Sequence, residues 1–279
     1  MSLQLALIGF GEAAQAFATG SGWTAHAFDI EQDSSRRSTL QSAAAAAGVG
    51  LCDTLAEALA GSPLVLSLVT ADAALAVARA AAPLLDPGAL FLDMNSVAPD
   101  TKRDAAILIE AAGARYADVA VMAPVLPARR AVPLLVAGPA AAIDSCTTLG
   151  FSRVAQVGEA PGRAAAIKLC RSVIVKGTEA LTAEALLAAD RAGVLSEVVA
   201  ALGEGWEPVA DYHLDRMLVH GQRRGAEMAE AARMLRSLGL EASLAAATAA
   251  QQQALGSLDL CPPPDGLASK LAAIRGRIG

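Results

Sequence analysis

The chain of 279 residues is 54% hydrophobic and 18% charged, a composition that can fill a large core and excludes a disordered chain. Its formal net charge of −6 and pI near 5.1 argue against nucleic acid or an anionic membrane as a constant partner. Only 3% of residues are aromatic, and no stretch approaches the ~20 uninterrupted apolar residues of a bilayer span. We therefore expect a soluble, cytoplasmic protein.

The four cysteines, at positions 52, 146, 170 and 261, form no C-x-x-C pair and have no histidine at the spacing of a zinc site. At this chain length they are expected to be reduced thiols in a core, and no metal site is expected. The chain begins on a strand-like run without a basic, cleavable leader, which agrees with the cytoplasmic expectation.

The first 160 residues alternate short apolar runs with helical segments. Strands are predicted over 3–8, 24–28, 49–52, 64–68, 89–92, 115–119, 133–137 and 153–157. Helices are predicted between them over 13–19, 35–47, 54–60, 71–84, 99–112 and 140–149. Strands that alternate with helices of ~10–15 residues indicate βαβ units, so we predict an α/β Rossmann-type, doubly wound parallel sheet.

No strand signal remains after Pro161. Helices are predicted over 163–192, 196–202, 209–235, 240–255 and 267–278. The run Pro262–Pro264 interrupts this helical part near its end. The sequence therefore predicts an α/β domain over 1–160 and an all-α C-terminal domain over 161–279, with the helix at 163–192 as a bridge.

A G-x-G-x-x-A turn follows the first strand and opens the first helix. It consists of Gly9, Phe10, Gly11, Glu12, Ala13 and Ala14. Gly9 permits a tight turn, Gly11 lets a pyrophosphate approach the helix N-terminus, and Ala14 lets the helix pack on the strand. Asp29 ends the second strand about 20 residues later, where a carboxylate can hold ribose hydroxyls. The turn predicts a dinucleotide site; a glycine turn that binds nothing is the alternative.

Asp29 favours NAD over NADP, because its carboxylate would repel a ribose 2′-phosphate. Arg36 and Arg37 leave NADP possible, since a loop could direct either side chain toward such a phosphate. Further candidates for cofactor binding are Ile30, Leu68, Val69 and Thr70.

Four segments, in this order, resemble the β-hydroxyacid dehydrogenases, the superfamily of 6-phosphogluconate and 3-hydroxyisobutyrate dehydrogenases. The first is the glycine turn with Asp29, and the others are Asp93–Pro99, Asp118–Pro124 and Gly162–Lys168. The last three segments are similar, in this order, to the family's D-x-x-x-x-x-P segment, its D-x-P-V-S-G-G segment and the glycine-rich approach to its catalytic lysine. Within the superfamily the chain looks closest to uncharacterised 6-phosphogluconate-dehydrogenase-like oxidoreductases whose C-terminal helical domain has no assigned function.

The resemblance implies an NAD(P)-dependent dehydrogenase with a dinucleotide-binding domain at 1–160 and a substrate-binding, homodimer-forming domain at 161–279. Lys168 and Asn95 would be the catalytic residues, with the nicotinamide near Asn95 and Ser96 in contact with substrate. A desolvated lysine can act as general acid or base on a hydroxyl, and its ammonium stabilises a developing alkoxide. The alternative for Lys168 is an ordinary lysine on a helix surface.

Two departures from the family pattern indicate a less polar substrate. Met122, Ala123 and Pro124 replace the S-G-G residues, which removes a hydroxyl and an N–H group. Arg171 and Ser172 replace the asparagines that usually follow the lysine; the arginine could pair with a carboxylate or lower the pKa of the lysine, and the serine could hydrogen-bond substrate. We expect a hydroxyl-bearing, carboxylated and partly apolar small molecule, and not 6-phosphogluconate.

One stretch of the helical part carries a charged face. His220, Arg223, Arg224 and Glu227 have the spacing of a single helix face. His220 and Arg224 are candidates for substrate binding in an anion-binding or proton-relaying stripe. The alternative is a solvated face with an Arg224–Glu227 pair.

Two other functions remain open. An imine reductase shares this architecture; Lys168 argues against it, because those enzymes generally replace the lysine, whereas Met122 argues for it. A dinucleotide-binding sensor without catalysis is the other alternative, which the replaced residues beside Lys168 permit.

Overall fold

The computed structural model describes residues 4–278, apart from the side chains of residues 32 and 33. Leu3, the predicted start of the first strand, lies outside the described residues. The chain divides into two compact units, Met1–Lys168 and Leu169–Gly279. The assignment of separate roles to 1–160 and 161–279 stays a prediction.

The first unit contains a sheet of eight strands. The strands are β1 Gln4–Ile8, β2 Thr24–Phe28, β3 Val49–Leu51, β4 Leu64–Ser67, β5 Leu90–Asp93, β6 Arg115–Val121, β7 Leu134–Ala137 and β8 Val154–Gly158. Their order in the sheet is β3-β2-β1-β4-β5-β6-β7-β8. The chain thus winds outward from β1 in both directions, and the predicted Rossmann-type class is confirmed.

One pair of strands departs from the predicted parallel arrangement. β6 and β7 pair antiparallel, whereas the other neighbouring strands pair parallel. Residues 122–133 between β6 and β7 form a loop with one short 3-10 turn, Arg129–Ala131, and lack the helix of a parallel crossover. The apolar run that predicts β7 does not show its direction, and the parallel prediction is wrong for this pair.

Helices flank the sheet and build the second unit. Those of the first unit are α1 Glu12–Ala18, α2 Arg37–Ala47, α3 Leu55–Leu59, α4 Ala74–Ala81, α5 Pro99–Ala111 and α6 Ala140–Thr148. Helix α7, Arg163–Ala192, begins in the first unit and continues into the second. The second unit also contains α8 Leu195–Leu202, α9 Trp206–Ser237, α10 Ser243–Gly256 and α11 Leu267–Ile278. Among the helices of residues 4–278, none combines the length and apolarity that a membrane span needs.

Alternate residues of β1 face opposite sides of the sheet. Leu5 and Leu7 belong to one hydrophobic cluster, and Ala6 and Ile8 to another. Because both faces of the sheet are covered, the central strands β4 and β5 are apolar up to their last residues, Ser67 and Asp93. These polar residues mark the strand ends, and the carboxyl ends of β1, β2, β4, β5 and β6 lie along one edge.

The sequence led us to expect all four cysteines in a core, but the structure does not place all of them there. Cys146 is buried, and burial raises the pKa of its thiol to about 12. Cys52 is half-buried, whereas Cys170 and Cys261 are exposed and contradict the expectation. Cys170 lies on an exposed position of α7, and Cys261 lies in the segment between α10 and α11.

Helices α9 and α10 approach each other at glycines. A Cβ at Gly221 would overlap the carbonyl oxygen of Gln252 and lie 2.8 Å from the Cα of Gly256. A Cβ at Gly225 would lie 2.9 Å from the carbonyl oxygen of Ala249. The obstructing atoms are backbone, so a side chain at these glycines would force the helices apart.

We predict that Gly221→Ala lowers the free energy of unfolding by about 1–3 kcal/mol, since overpacking at a rigid contact is costly. The matched control is Gly177→Ala in α7, where the nearest atom to an added Cβ is 3.9 Å away. That change should stabilise the protein by about 0.5–1 kcal/mol, because a helical glycine loses more backbone freedom than alanine. Urea unfolding monitored by circular dichroism tests both, and equal effects would contradict the crossing.

Candidate functional site

The glycine turn is held by the strands on both sides of β1. Gly9 has a φ of +86°, and a Cβ there would lie 2.5 Å from the carbonyl oxygen of Leu68. Its N–H donates to the Phe28 carbonyl at 2.8 Å, and the N–H of Phe10 donates to Asp29 Oδ2 at 2.7 Å. Only glycine satisfies both the backbone conformation and the close approach of the chain after β4.

Helix α1 begins directly after the turn. Gly11 is its N-cap and has no side chain that could accept a hydrogen bond from the first N–H groups. A Cβ at Gly11 would meet no atom within 4 Å, so this side of the turn is open. Ala14 is fully buried in the core, whereas Glu12 is exposed in the first turn. An uncapped helix start beside open space fits a pyrophosphate.

Asp29 accepts two backbone hydrogen bonds at the end of β2. Oδ2 receives the N–H of Phe10, and Oδ1 receives the N–H of Glu31 at 2.9 Å. A carboxylate oxygen accepts more than one hydrogen bond, so both oxygens retain capacity for a donor such as a ribose hydroxyl. The next side chain, Ile30, is 78% exposed and offers apolar surface at the same strand end.

Asn95 connects the ends of β4 and β5. Its Oδ1 accepts the N–H of Val69 at 2.7 Å, and its Nδ2 donates to Ser67 Oγ at 3.0 Å. Its own N–H donates to Asp93 Oδ1 at 3.0 Å. The buried amide therefore shapes the segment 68–70, which contributes three of the cofactor candidates.

Lys168 and Ser96 are brought into contact. The Nζ of Lys168 donates a hydrogen bond to Ser96 Oγ, and both side chains are half-buried. Lys168 lies near the start of α7, where the N–H of Ala165 donates to Asp118 Oδ2 at 2.9 Å. The structure thus joins the lysine predicted for catalysis to the serine predicted for substrate contact.

Met122, Ala123 and Pro124 follow β6 at this edge of the sheet. Met122 is half-buried and packs against a small cluster of Ala120, Ala137 and Ala164. Ala123 is half-buried and Pro124 is exposed. The segment therefore offers an apolar surface where the family pattern has polar donors.

A buried ion cluster lies next to these residues. The sequence analysis did not predict it. Lys102 is fully buried, and its Nζ donates to the carbonyl oxygen and Oδ1 of Asp93 at 2.7 and 2.8 Å. The same Nζ lies 3.4 Å from Asp118 Oδ1. Tyr116 donates its hydroxyl to Asp93 Oδ2 at 2.7 Å. Burial, and then the charges of the two aspartates, raise the pKa of Tyr116 well above its usual value.

A sequence signal for Lys102 exists in retrospect. Lys102 has helical spacing to Ala105, Ala106 and Ile109, which are all buried on one face of α5. A lysine on an apolar helix face needs a carboxylate partner, and Asp93 at the end of β5 and Asp118 within β6 are the carboxylates of two buried strands. The partner itself becomes evident only when the strands are placed side by side.

In the second unit, the sequence candidates near Lys168 have their own partners. Ser172 is buried and accepts a hydrogen bond from Lys176 Nζ at 3.1 Å, whereas Arg171 is exposed. Burial lowers the pKa of Lys176 more than its pairing with Glu227 raises it. That pairing is a contact of 2.6 Å between Lys176 Nζ and Glu227 Oε2.

Arg224 is buried and pairs with Glu179. The alternative of a solvated face is therefore wrong for this residue, although Arg223 does pair with Glu227 at the surface, at 3.0 Å. The pattern of charges along α9 does not reveal partners on α7, which explains the difference. A role for Arg224 in substrate binding stays a prediction.

His220 lies apart from this buried pair. It lines a cavity of about 440 Å³ together with Asp211, Arg216 and Lys270, and Arg224 does not line that cavity. The predicted stripe is thus divided between two environments. Within residues 4–278 no group of three or more His, Cys, Asp or Glu side chains has the arrangement of a metal site.

The doubly wound sheet, the glycine turn after β1 and the carboxylate after β2 define a Rossmann-type dinucleotide-binding protein. Residues 4–160 match the NAD-binding domain of 6-phosphogluconate dehydrogenase, and residues 189–255 match a domain of unknown function, DUF1932. The chain therefore belongs to the 6-phosphogluconate-dehydrogenase-like proteins, with an NAD-binding domain and a C-terminal DUF1932 domain. No curated protein matches it.

Solved structures extend the likeness over the whole chain. A conserved hypothetical protein from Sinorhizobium meliloti 1021 is 38% identical over 100% of this chain and 97% of that chain, with a TM-score of 0.78. Mycobacterium tuberculosis 3-hydroxyisobutyrate dehydrogenase, solved with L-serine, is 19% identical over 100% of both chains, with a TM-score of 0.73. A Myxococcus stipitatus imine reductase variant in complex with NAD+ is 20% identical over 98% of this chain and 99% of that chain, with a TM-score of 0.62. The last two show a shared fold.

We predict that Tyr116→Phe lowers the free energy of unfolding at pH 7 by about 1.5–3 kcal/mol, because Asp93 loses a donor. The raised pKa of Tyr116 means that the folded protein keeps a proton which the unfolded chain releases. The stability that this retained proton contributes is present below pH ~10 and is lost as the pH rises further. The free energy of unfolding of the wild type should therefore fall more steeply with pH than that of the variant.

The measurement is urea unfolding at pH 7, 10 and 11. The free energies of unfolding of wild type and Tyr116→Phe should converge as the pH rises to 11. Tyr212→Phe is the matched control, because Tyr212 is 58% exposed and the change should matter little at any of these pH values. Parallel pH profiles for wild type and Tyr116→Phe would contradict the buried, proton-retaining phenol.

Proposed function

We propose that this protein is an NAD-dependent oxidoreductase acting on a hydroxyl-bearing, carboxylated and partly apolar small molecule, with Lys168 as general acid or base. The observation that carries the proposal is the hydrogen bond from Lys168 to Ser96 at the sheet edge that bears the glycine turn. A half-buried lysine at the cofactor edge of a Rossmann sheet is where proton transfer to or from a substrate hydroxyl is needed.

The residues at this edge fit the cofactor. Gly11 leaves open space at the uncapped start of α1, where backbone N–H groups would hold the pyrophosphate. Asp29 would accept the ribose hydroxyls, and Asn95 would hold the segment 68–70 beside the nicotinamide. Ile30 would cover the adenine. When bound, NAD supplies the hydride acceptor that an alcohol oxidation requires.

Lys168 takes the proton from the substrate hydroxyl during oxidation and returns it in the reverse direction. Its ammonium form also stabilises negative charge on the substrate oxygen. Ser96 receives the hydrogen bond of the lysine and limits the positions that its Nζ can take. A group held in this way loses less freedom when it engages the reacting oxygen.

The substrate class follows from the side chains offered to it. Met122, Ala123 and Pro124 favour an apolar or branched group and provide no hydroxyl for a phosphate. Arg171, exposed after the lysine, is the proposed partner of a substrate carboxylate. His220 and Arg224 remain candidates for further substrate contacts. Turnover of 6-phosphogluconate at a rate typical of enzymes would contradict this substrate class.

Preference for NAD over NADP is part of the proposal. Asp29 would repel a 2′-phosphate, and the two arginines that could bind one are both near carboxylates. Arg36 lies 4.0 Å from Glu31, and Arg37 lies 3.2 Å from Asp53. A phosphate would have to compete with these partners.

Calorimetric titration with NADH and NADPH tests the preference. We expect NADH to bind about tenfold or more tightly than NADPH, and Asp29→Asn to reduce this ratio several-fold, because it removes the charge and keeps an acceptor. Asp86→Asn, an exposed change just before β5, is the control and should leave the ratio unchanged. Tighter binding of NADPH by the wild-type protein would overturn the interpretation of Asp29, and binding of neither would remove the proposed function.

Lys168→Met tests the chemical role. Across a panel of apolar β-hydroxyacids with NAD, it should lower kcat/KM by about 10²–10⁴-fold, the usual contribution of a positioned acid or base. The affinity for NADH should stay within about twofold, since the proposed cofactor contacts lie elsewhere. Arg275→Met is the control, because it removes a cation paired with Asp190 in the other unit and Arg275 does not line the cavity that contains His220. Unchanged turnover in Lys168→Met would exclude the lysine as acid or base.

The imine reductase is the second candidate, supported by the apolar segment at Met122 and by the fold shared with the M. stipitatus enzyme. Lys168 argues against it. Reduction of a cyclic imine without any hydroxyacid turnover would favour this candidate. Tight NADH binding with no turnover of either class would favour a sensor.

A homodimer is also part of the proposal. Ile174 and Leu181 are 72% and 69% exposed on α7, and Leu244 is 84% exposed on α10. Ile174 and Leu181 are two helical turns apart on one face, and large apolar side chains in such a row favour burial against another subunit.

A further inference from the structure

The buried ion cluster holds two separate segments of the chain. Asp93 accepts the N–H of Asn95 and so fixes the segment after β5 that carries Ser96. Asp118 accepts the N–H of Ala165 in the first turn of α7, one helical turn before Lys168. Lys102 lies between the two carboxylates.

The charge of Lys102 is what allows both aspartates to remain in place. Asp93, Lys102 and Asp118 are at most 1% exposed. Without the cation, the two carboxylates would repel each other in an environment where water does not screen their charges. Asp118 Oδ1 has no hydrogen-bond partner among the described residues, and the ammonium of Lys102 is the charge that compensates it at 3.4 Å. Loss of this charge should displace one or both of the carboxylates.

The start of α7 has little freedom to adjust. Gly162, just before the helix, has a φ of +89°, and a Cβ there would lie 2.8 Å from the carbonyl oxygen of Pro99. The start of α7 is therefore packed directly on the start of α5, the helix that carries Lys102. A shift of Asp118 would act on Lys168 through this packed contact.

We propose that the Asp93–Lys102–Asp118 cluster is a positioning device for the Lys168–Ser96 pair, with Lys102 and Asp118 as positioning residues. The cluster acts on one side through the segment that carries Ser96 and on the other side through the first turn of α7. The catalytic importance of the pair rests on the proposed function, whereas the mechanical link between cluster and pair does not.

The chain offers a clean measurement of this link. Its four lysines are Lys102, Lys168, Lys176 and Lys270, and Lys168 is the one that is not buried. The rate at which each amine is acetylated by a trace of an N-hydroxysuccinimide ester can be read by peptide mass spectrometry. Because the assay needs no substrate, failure of the proposed function would leave its result intact.

Ser96→Ala is the reference variant, since it removes the acceptor of the Lys168 hydrogen bond. We expect it to raise the acetylation rate of Lys168 about threefold or more, in keeping with the loss of one hydrogen bond. Lys102→Met and Asp118→Ala should raise the rate by a similar factor. Asp118→Ala, which leaves the hydrogen bond between Asp93 and Asn95 in place, should also keep the affinity for NADH within about twofold, a separation that general destabilisation would not produce.

Two variants serve as matched controls. Asp118→Asn keeps an acceptor for Ala165, and Lys270→Met removes a different buried, paired lysine, so both should leave Lys168 at the wild-type rate. Asp118→Ala leaves one aspartate with one lysine, so it remains informative if Lys102→Met does not fold. If Lys168 is acetylated at the wild-type rate in folded Lys102→Met or in Asp118→Ala, the proposal is overturned. An unchanged rate in Ser96→Ala would also overturn it.

Discussion

The register of four parallel strands is the constraint on which the candidate site depends. Ile8 pairs with Ser67, Ser67 with Asp93, and Asp93 with Asp118, so this row of the sheet is polar on β4, β5 and β6. Neighbouring strands are ~4.8 Å apart, which places Asp93 and Asp118 within reach of a single buried lysine, Lys102. A slip of one residue in any pair would turn one of these groups to the other face of the sheet.

This row explains why polar groups are tolerated inside an alanine-rich, apolar domain. Ser67 is satisfied by the amide of Asn95, and Asp93 by Lys102, Tyr116 and a backbone N–H. Buried polar groups are stable only when they are paired, and here each pairing also connects two chain segments. The pairings that satisfy these buried polar groups are thus the same pairings that hold the loops around the cofactor edge.

The sequence predicted the strands, their order of appearance and the turn at Gly9, because apolar runs and glycines leave local patterns. It did not predict that β7 is antiparallel, since direction is set by the connection and not by the apolar run. Lys168 and Ser96 were selected from a resemblance, and their contact needed the structure. Lys102 was missed because its partners are 9 and 16 residues away on different strands, and its sequence neighbours look like an ordinary helix.

In the helical unit, the register between α9 and α10 depends on close backbone contacts and on buried polar groups. Besides apolar side chains, the buried residues of these helices include Gly221, Gly225 and Arg224 on α9 and Thr248 and Gln252 on α10. Gly221 and Gly225 on α9 and Gly256 on α10 allow close contact of the two backbones, and Gln252 donates to Glu179 at 2.9 Å. Arg224 meets the same carboxylate, so α7, α9 and α10 share one buried polar point. A buried ion pair adds little net stability against an apolar replacement, but a shifted register would leave its charges unpaired. We infer that the glycines and this pair together select the register of α9 against α10.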